Sequence, residues 1–304
     1  MFATLLGALP RPPLPVDAPR KALVEAAVRA QESAGLDPVT DGGPPAPTER
    51  DLARIWTATQ QLTERAVKQA VLGPYTAAHG GAANPERAGA TLYRATALNA
   101  ALRELSAAGC PLIEIHEPAA TAIGSDEAER ALFREAHLRL LDGVEDAHLS
   151  LALTGGAADG AGIETVLAAP YASLAVDLIA GPDNWRLVVE TPGDHGIICG
   201  ALSSVADSDD GPELLLWAAA YAASTGGRGP ARVGLASASS FAHLPWDAAV
   251  RKLERLGEAA RLADEPLDTR MQALDPRAVS SRSAALGRVD PRPSGHPDPG
   301  DDPT

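Results

Sequence analysis

The 304-residue sequence predicts an α/β fold, a (β/α)8 TIM barrel, from three observations. Short apolar runs alternate with amphipathic, Ala-rich stretches along most of the chain. The apolar runs reach the eight that a closed parallel barrel needs. No Gly-x-Gly-x-x-Gly follows the first run, so an open dinucleotide-binding sheet has no local support.

The expected strands are Phe2–Leu6, Pro38–Thr40, Ala66–Leu72, Pro111–Ile115, His148–Leu153, Leu174–Ile179, Gly196–Leu202 and Arg232–Ala236. Helices are expected over Ala18–Ala34, Arg87–Ala108, Asp126–Leu141, Glu213–Ser224 and Trp246–Ala263. In the first of these Leu23, Ala27 and Ala30 face one way, with Lys21, Glu25 and Arg29 on the other side. Pro10–Pro19 and Pro44–Pro47 read as rigid loops on the face where barrel loops carry function. The pattern stops near Asp264. Residues 1–263 are therefore expected to form one barrel domain, and 264–304 a disordered tail rich in Pro and Gly.

Aromatic residues make up only 4% of the chain, so Ala, Leu and Val must fill the core. The formal charge of −14 with no basic stripe excludes nucleic acid and anionic membranes as expected partners. No run is long enough for a transmembrane helix, and the apolar start lacks a basic flank. The two cysteines, Cys110 and Cys199, show no paired spacing, which fits the reducing cytoplasm and two small buried hydrophobes.

Four motifs then come in a telling order: Thr4–Pro12, Pro38–Gly42, Leu72-Gly-Pro-Tyr-Thr76 and Ile113-Glu-Ile-His-Glu-Pro118. Together they resemble the C-terminal catalytic barrel of cobalamin-independent methionine synthase, over roughly residues 2–263. The resemblance implies a methyl-transfer barrel with its site at the C-terminal ends of the strands. In that family the loop after the first strand helps hold the amino-acid substrate. Gly7, Pro10 and Arg11 match it, and Ala8 stands where serine is usual. Thr40, Asp41 and Gly42 match the next motif, but Gly43 replaces its amine-binding glutamate; His116 replaces the aspartate that faces the same amine. A buried ammonium without a carboxylate partner is costly, so homocysteine should bind poorly.

The family's zinc ligands are a His-x-Cys pair, a Glu and a second Cys. His148-Leu149-Ser150 keeps the first spacing with serine for cysteine. An alignment anchored on Gly155 instead sets Leu151 and Leu153 at those positions. Asp177–Gly181 ends in glycine where the glutamate belongs, and Ser237–Ser240 stands near the second cysteine. Serine is a weak zinc ligand, so the resemblance implies no zinc, no other cofactor and no metal ligands here. The methyl donor, folate or otherwise, stays open.

The remaining catalytic candidates are His116, Glu117 and Asp177, with Arg11, Asp41, Tyr75 and Ser239 as substrate-binding residues around a small molecule in the barrel mouth. Histidine is a residue type suited to general acid–base work, which makes His116 the first candidate. Adjacent strand residues point to opposite faces, so only one of His116 and Glu117 should line the interior unless Pro118 turns the chain. A metal site from His116, Asp177 and His243 has no supporting spacing, and no G-x-S-x-G elbow marks a nucleophilic serine. Three readings stay open: a methyl or one-carbon transfer enzyme that has lost zinc, a non-catalytic ligand- or partner-binding barrel, and a metal-free acid–base enzyme. The related uroporphyrinogen decarboxylase barrels, which work without metal, exemplify the last.

Overall fold

The computed structural model describes residues 1–46, 51–79, 84–208 and 211–266. Within them the strands are β1 (Phe2–Thr4), β2 (Lys68–Leu72), β3 (Leu112–His116), β4 (His148–Leu153), β5 (Ser173–Asp177), β6 (Gly196–Leu202) and β7 (Val233–Ser237). They form one parallel sheet in the order β1-β7-β6-β5-β4-β3-β2, curled as in a TIM barrel. The helices are α1 (Arg20–Ser33), α2 (Leu52–Gln60), α3 (Pro74–His79), α4 (Asn84–Ala107), α5 (Glu127–Leu141), α6 (Ile163–Val166), α7 (Trp185–Glu190), α8 (Pro212–Ser224) and α9 (Trp246–Asp264).

The strand expected at Pro38–Thr40 is not one. The segment lies between β1 and β2 and touches both, but only through single bridges. Asp37 N donates to Ala3 O, and Val39 exchanges backbone bonds with Ala66 and Lys68. Two features prevent a regular ladder. Pro38 has no N–H to give. The side-chain amide of buried Gln31, on α1, takes both backbone groups of Thr40: Oε1 accepts Thr40 N at 2.9 Å, and Nε2 donates to Thr40 O at 2.9 Å. An irregular segment thus occupies the eighth barrel position. The Pro44–Pro47 loop begins here, and its end falls outside the described residues, as does the expected tail from residue 267 onward.

Two layers of core follow from strand alternation. Outward residues such as Val71, Ile113, Ile115, Leu151, Leu153, Leu174 and Val176 pack under the helices in one large cluster. Inward residues divide the barrel interior. Leu6, Ala152, Ala175, Ile198 and Ala236 make an apolar group. On the opposite side, β2 and β3 turn Lys68, Glu114 and His116 inward, all buried. Among the described residues no helix is long and apolar enough to cross a membrane.

Candidate active site

The mouth is built where the loops after β1, the Asp37–Ala46 segment and β7 meet. Ser237 and Ser240 tie the first loop down: Ser237 Oγ accepts from Leu6 N and donates to Leu6 O, and Ser240 Oγ does the same with Ala8. Gly7 has φ of 83°, and a Cβ there would lie 2.7 Å from Ser240 Cα, so only glycine fits. Beside this anchored loop lies a cleft of about 700 Å³. Arg11, Arg20, Asp41, Gln69 and Ser240 supply its polar lining.

The seven expected site residues separate into distinct places. Arg11 and Asp41 share the cleft. Arg11 is exposed, and its Nη2 donates to the carbonyls of Pro15 and Val16 at 2.8 and 2.9 Å. Asp41 Oδ1 accepts from Gly43 N at 2.9 Å, and Oδ2 lies 3.7 Å from Arg20 Nη2. Ser239 Oγ pairs with Ser204 Oγ at 2.9 Å, next to His243, whose Nε2 lies 3.0 Å from Ser204 O.

Tyr75 and Glu117 lie behind β3, between the sheet and the outer helices. Glu117 is fully buried and sits under the first turn of α3, accepting from Tyr75 N at 3.0 Å and Thr76 N at 2.7 Å. A Cβ on Gly73 would collide with this carboxylate, which explains the glycine of the Gly-Pro-Tyr-Thr loop. His137 Nε2 lies 3.2 Å from the same carboxylate. Tyr75 packs edge-on against Phe133 and donates to Glu129 Oε2 at 2.7 Å; burial raises its phenol well above the ordinary range. Pro118 therefore does not turn Glu117 into the barrel: strand alternation holds. Asp177 is also buried, and its carboxylate accepts from the backbone of Gly155, Ile179 and Ala180 at 3.0, 2.9 and 2.8 Å. It organises two loops.

His116 is different. It faces the interior at the end of β3, and its Nε2 lies 2.7 Å from Glu114 Oε1. Lys68 Nζ reaches both oxygens of Glu114, at 2.9 and 2.8 Å. Burial pushes the Glu114 carboxyl up, but the Lys68 charge and the His116 hydrogen bond outweigh it and hold the group at about 2. Burial lowers Lys68, and the Glu114 charge opposes that shift. The Lys68–Glu114 pair was missed in the sequence, although charged residues at inward positions of two apolar runs marked it.

His148 stands at the start of β4, away from the mouth, and its Nε2 meets Ser173 Oγ at 2.8 Å. Ser150 Oγ is buried with no hydrogen-bond partner among the described residues. We expect Ser150→Ala to raise unfolding stability by roughly 1 kcal/mol, since it removes an unsatisfied hydroxyl; urea denaturation showing a loss instead would mean that the hydroxyl is bonded. Cys110 and Cys199 are buried, and burial pushes both thiols up to about 12, so neither offers a thiolate. Among the described residues no group of three His, Cys, Asp or Glu side chains is placed to hold a metal ion.

These features define a class: a TIM-barrel-like α/β protein with a polar cleft beside the loop after its first strand. No family model matches the chain. It is 29% identical over 212 residues to the 5-methyltetrahydropteroyltriglutamate–homocysteine methyltransferase of Rhodopseudomonas palustris (strain TIE-1), with the same figures for a second strain of that species. That match covers 63% of this chain and 26% of each relative, so the chain spans about a quarter of their length. A B12-independent methionine synthase from Shewanella sp. W3-18-1, solved in complex with selenomethionine, superposes with a TM-score of 0.72 at 14% identity, covering 90% of this chain and 99% of that one. A methyltransferase from Methanosarcina mazei gives 0.52 at 14% identity, over 69% and 63%. The chain is a divergent relative of the cobalamin-independent methionine synthases and shares the barrel fold of the solved one.

Proposed function

We propose that the chain is a small-molecule barrel of the methyl-transfer type whose site works without zinc. The observation that carries this reading is the cleft beside the loop after β1, walled by residues 8–12, by Asp41 and Gly42, and by the facing sides of α1 and α2. Residues 8–12, Asp41 and Gly42 belong to the motifs that resemble the amino-acid-binding loops of methionine synthase. Arg11 and Arg20 in that cleft suit a carboxylate-bearing ligand. The ligand positions implied by the resemblance do not fit zinc. Leu153 is apolar and buried, Ser237 is committed to Leu6, and His148 is at the far end of its strand.

One observation favours the non-catalytic alternative. The carboxylates of Glu117 and Asp177 are bound by backbone N–H groups, so two of three acid–base candidates serve the scaffold. A single experiment separates the readings from ordinary methionine synthesis. Protein purified without chelator from zinc-supplemented medium is assayed for bound zinc and for methyl transfer from 5-methyltetrahydrofolate to homocysteine. We expect less than about a tenth of an equivalent of zinc and no thiol methylation, given the donor set. Near-stoichiometric zinc with methionine formation would overturn the proposal.

A further inference from the structure

The polar side of the barrel interior holds a chain of three buried groups that no other element interrupts. Lys68 comes from β2, and Glu114 and His116 are one period of alternation apart on β3. Their exposures are 2%, 0% and 3%. Lys68 donates to both oxygens of Glu114, so the pair is neutral as a unit. Glu114 Oε1 also meets His116 Nε2. An ionised carboxylate only accepts, so Nε2 must carry the proton in this contact. The other ring nitrogen, Nδ1, makes no hydrogen bond among the described residues. His137, by contrast, has Nδ1 against the Tyr171 hydroxyl and Nε2 against Glu117.

We propose that Glu114 and Lys68 are positioning residues that lock His116 in its Nε2–H tautomer and leave Nδ1 as a bare proton acceptor at the mouth end of β3. Glu114 selects the tautomer through its hydrogen bond. Lys68 balances the carboxylate, so that Glu114 need not draw a second proton onto the imidazole. The use of Nδ1 as a base toward a bound small molecule rests on the functional reading above; the tautomer itself does not.

The test is long-range 1H–15N NMR of the full chain labelled at histidine nitrogen, recorded without ligand well above the ordinary histidine titration range. The His116 signals are assigned by their loss in His116→Asn. The expected wild-type pattern is that of the Nε2–H form. In the charge-balanced variant Lys68→Met/Glu114→Leu the ratio of the two tautomers should fall about tenfold or more, the effect of one charge-assisted hydrogen bond. An Nδ1–H or doubly protonated ring in the wild type overturns the proposal even if the double variant does not fold. An unchanged ratio in the folded variant overturns it as well. Because the spectrum is read on the resting protein, zinc or thiol methylation in the previous experiment would defeat the functional reading and leave this one standing.

Discussion

Lys68→Met lowers the unfolding free energy by roughly 3–5 kcal/mol, the range for breaking a buried ion pair from one side. The substitution removes little volume and keeps an apolar stem, so cavity formation contributes little. What remains is Glu114, fully buried, with its countercharge gone. Its pH dependence then changes sign. In the native protein Glu114 is held at about 2 against an ordinary 4.5. The folded state therefore binds that proton less readily than the unfolded chain. The resulting stability is complete above 4.5 and disappears as the pH falls toward about 2. Lys68 is protonated in both states throughout this window and adds no slope. In the variant, burial without Lys68 raises the carboxyl above its unfolded value, so acidification through the same window stabilises it relative to wild type. Urea denaturation of both proteins from neutral to acid pH reads the difference, in which the other carboxylates cancel. Lys68→Met/Glu114→Gln should recover most of the loss. A single variant as stable as wild type, with a parallel pH profile, would show that the pair is solvated.

That pair illustrates how much of the site was legible in the sequence. Period-two alternation lets only one of His116 and Glu117 face inward; the structure keeps that rule and puts His116 inside. The same rule, extended one step back, puts Glu114 on the face of His116. Its partner Lys68 lies 46 residues earlier in the chain, and only the register of β2 against β3 unites them. The parts played by Glu117 and Asp177 were not legible for a related reason. Each carboxylate is satisfied by backbone N–H groups of loops or of a helix start, which carry no side-chain signature. Glu117 reaches across 42 residues to the backbone of Tyr75.

The fold was more open to reading, because seven of the eight apolar runs are long enough to show their period. The exception, Pro38–Thr40, fails through a side chain, Gln31, that competes for its backbone. Four helices were also missed: α2, α3, α6 and α7, of which α6 has four residues and α7 six. α3 has only six residues, less than two turns. In α2 the buried Leu52, Trp56 and Thr59 follow helical spacing, but a threonine on the inner face blurs the stripe. Distant relationship to methionine synthases thus goes with a shared barrel fold, which by itself fixes no chemistry.

Arg228→Ala is the second change with a large expected effect, and it lies far from any proposed chemistry. Arg228 follows the end of α8 and precedes β7, and only 2% of it is exposed. No carboxylate pairs with it among the described residues; instead its guanidinium gathers the ends of two connections. Nε donates to His195 O at 2.9 Å, Nη1 to Ala222 O at 2.8 Å and to Thr225 Oγ1, and Nη2 to Thr191 O at 2.9 Å and Pro192 O at 3.4 Å. These carbonyls belong to the C-terminal end of α8 and to the link between α7 and β6, so one side chain satisfies orphan acceptors of both. Alanine would leave them without a donor in a space partly closed to water, at a cost of roughly 3 kcal/mol or more. Arg228→Lys should recover only part, because an ammonium is a point donor and cannot spread its bonds over a planar fork. Amide hydrogen exchange would locate the effect: protection should fall at Thr191–Gly196 and at the end of α8, while the mouth loops keep theirs. A loss of stability spread evenly over the barrel, or lysine as good as arginine, would mean that the side chain fills space and that its directed hydrogen bonds contribute little.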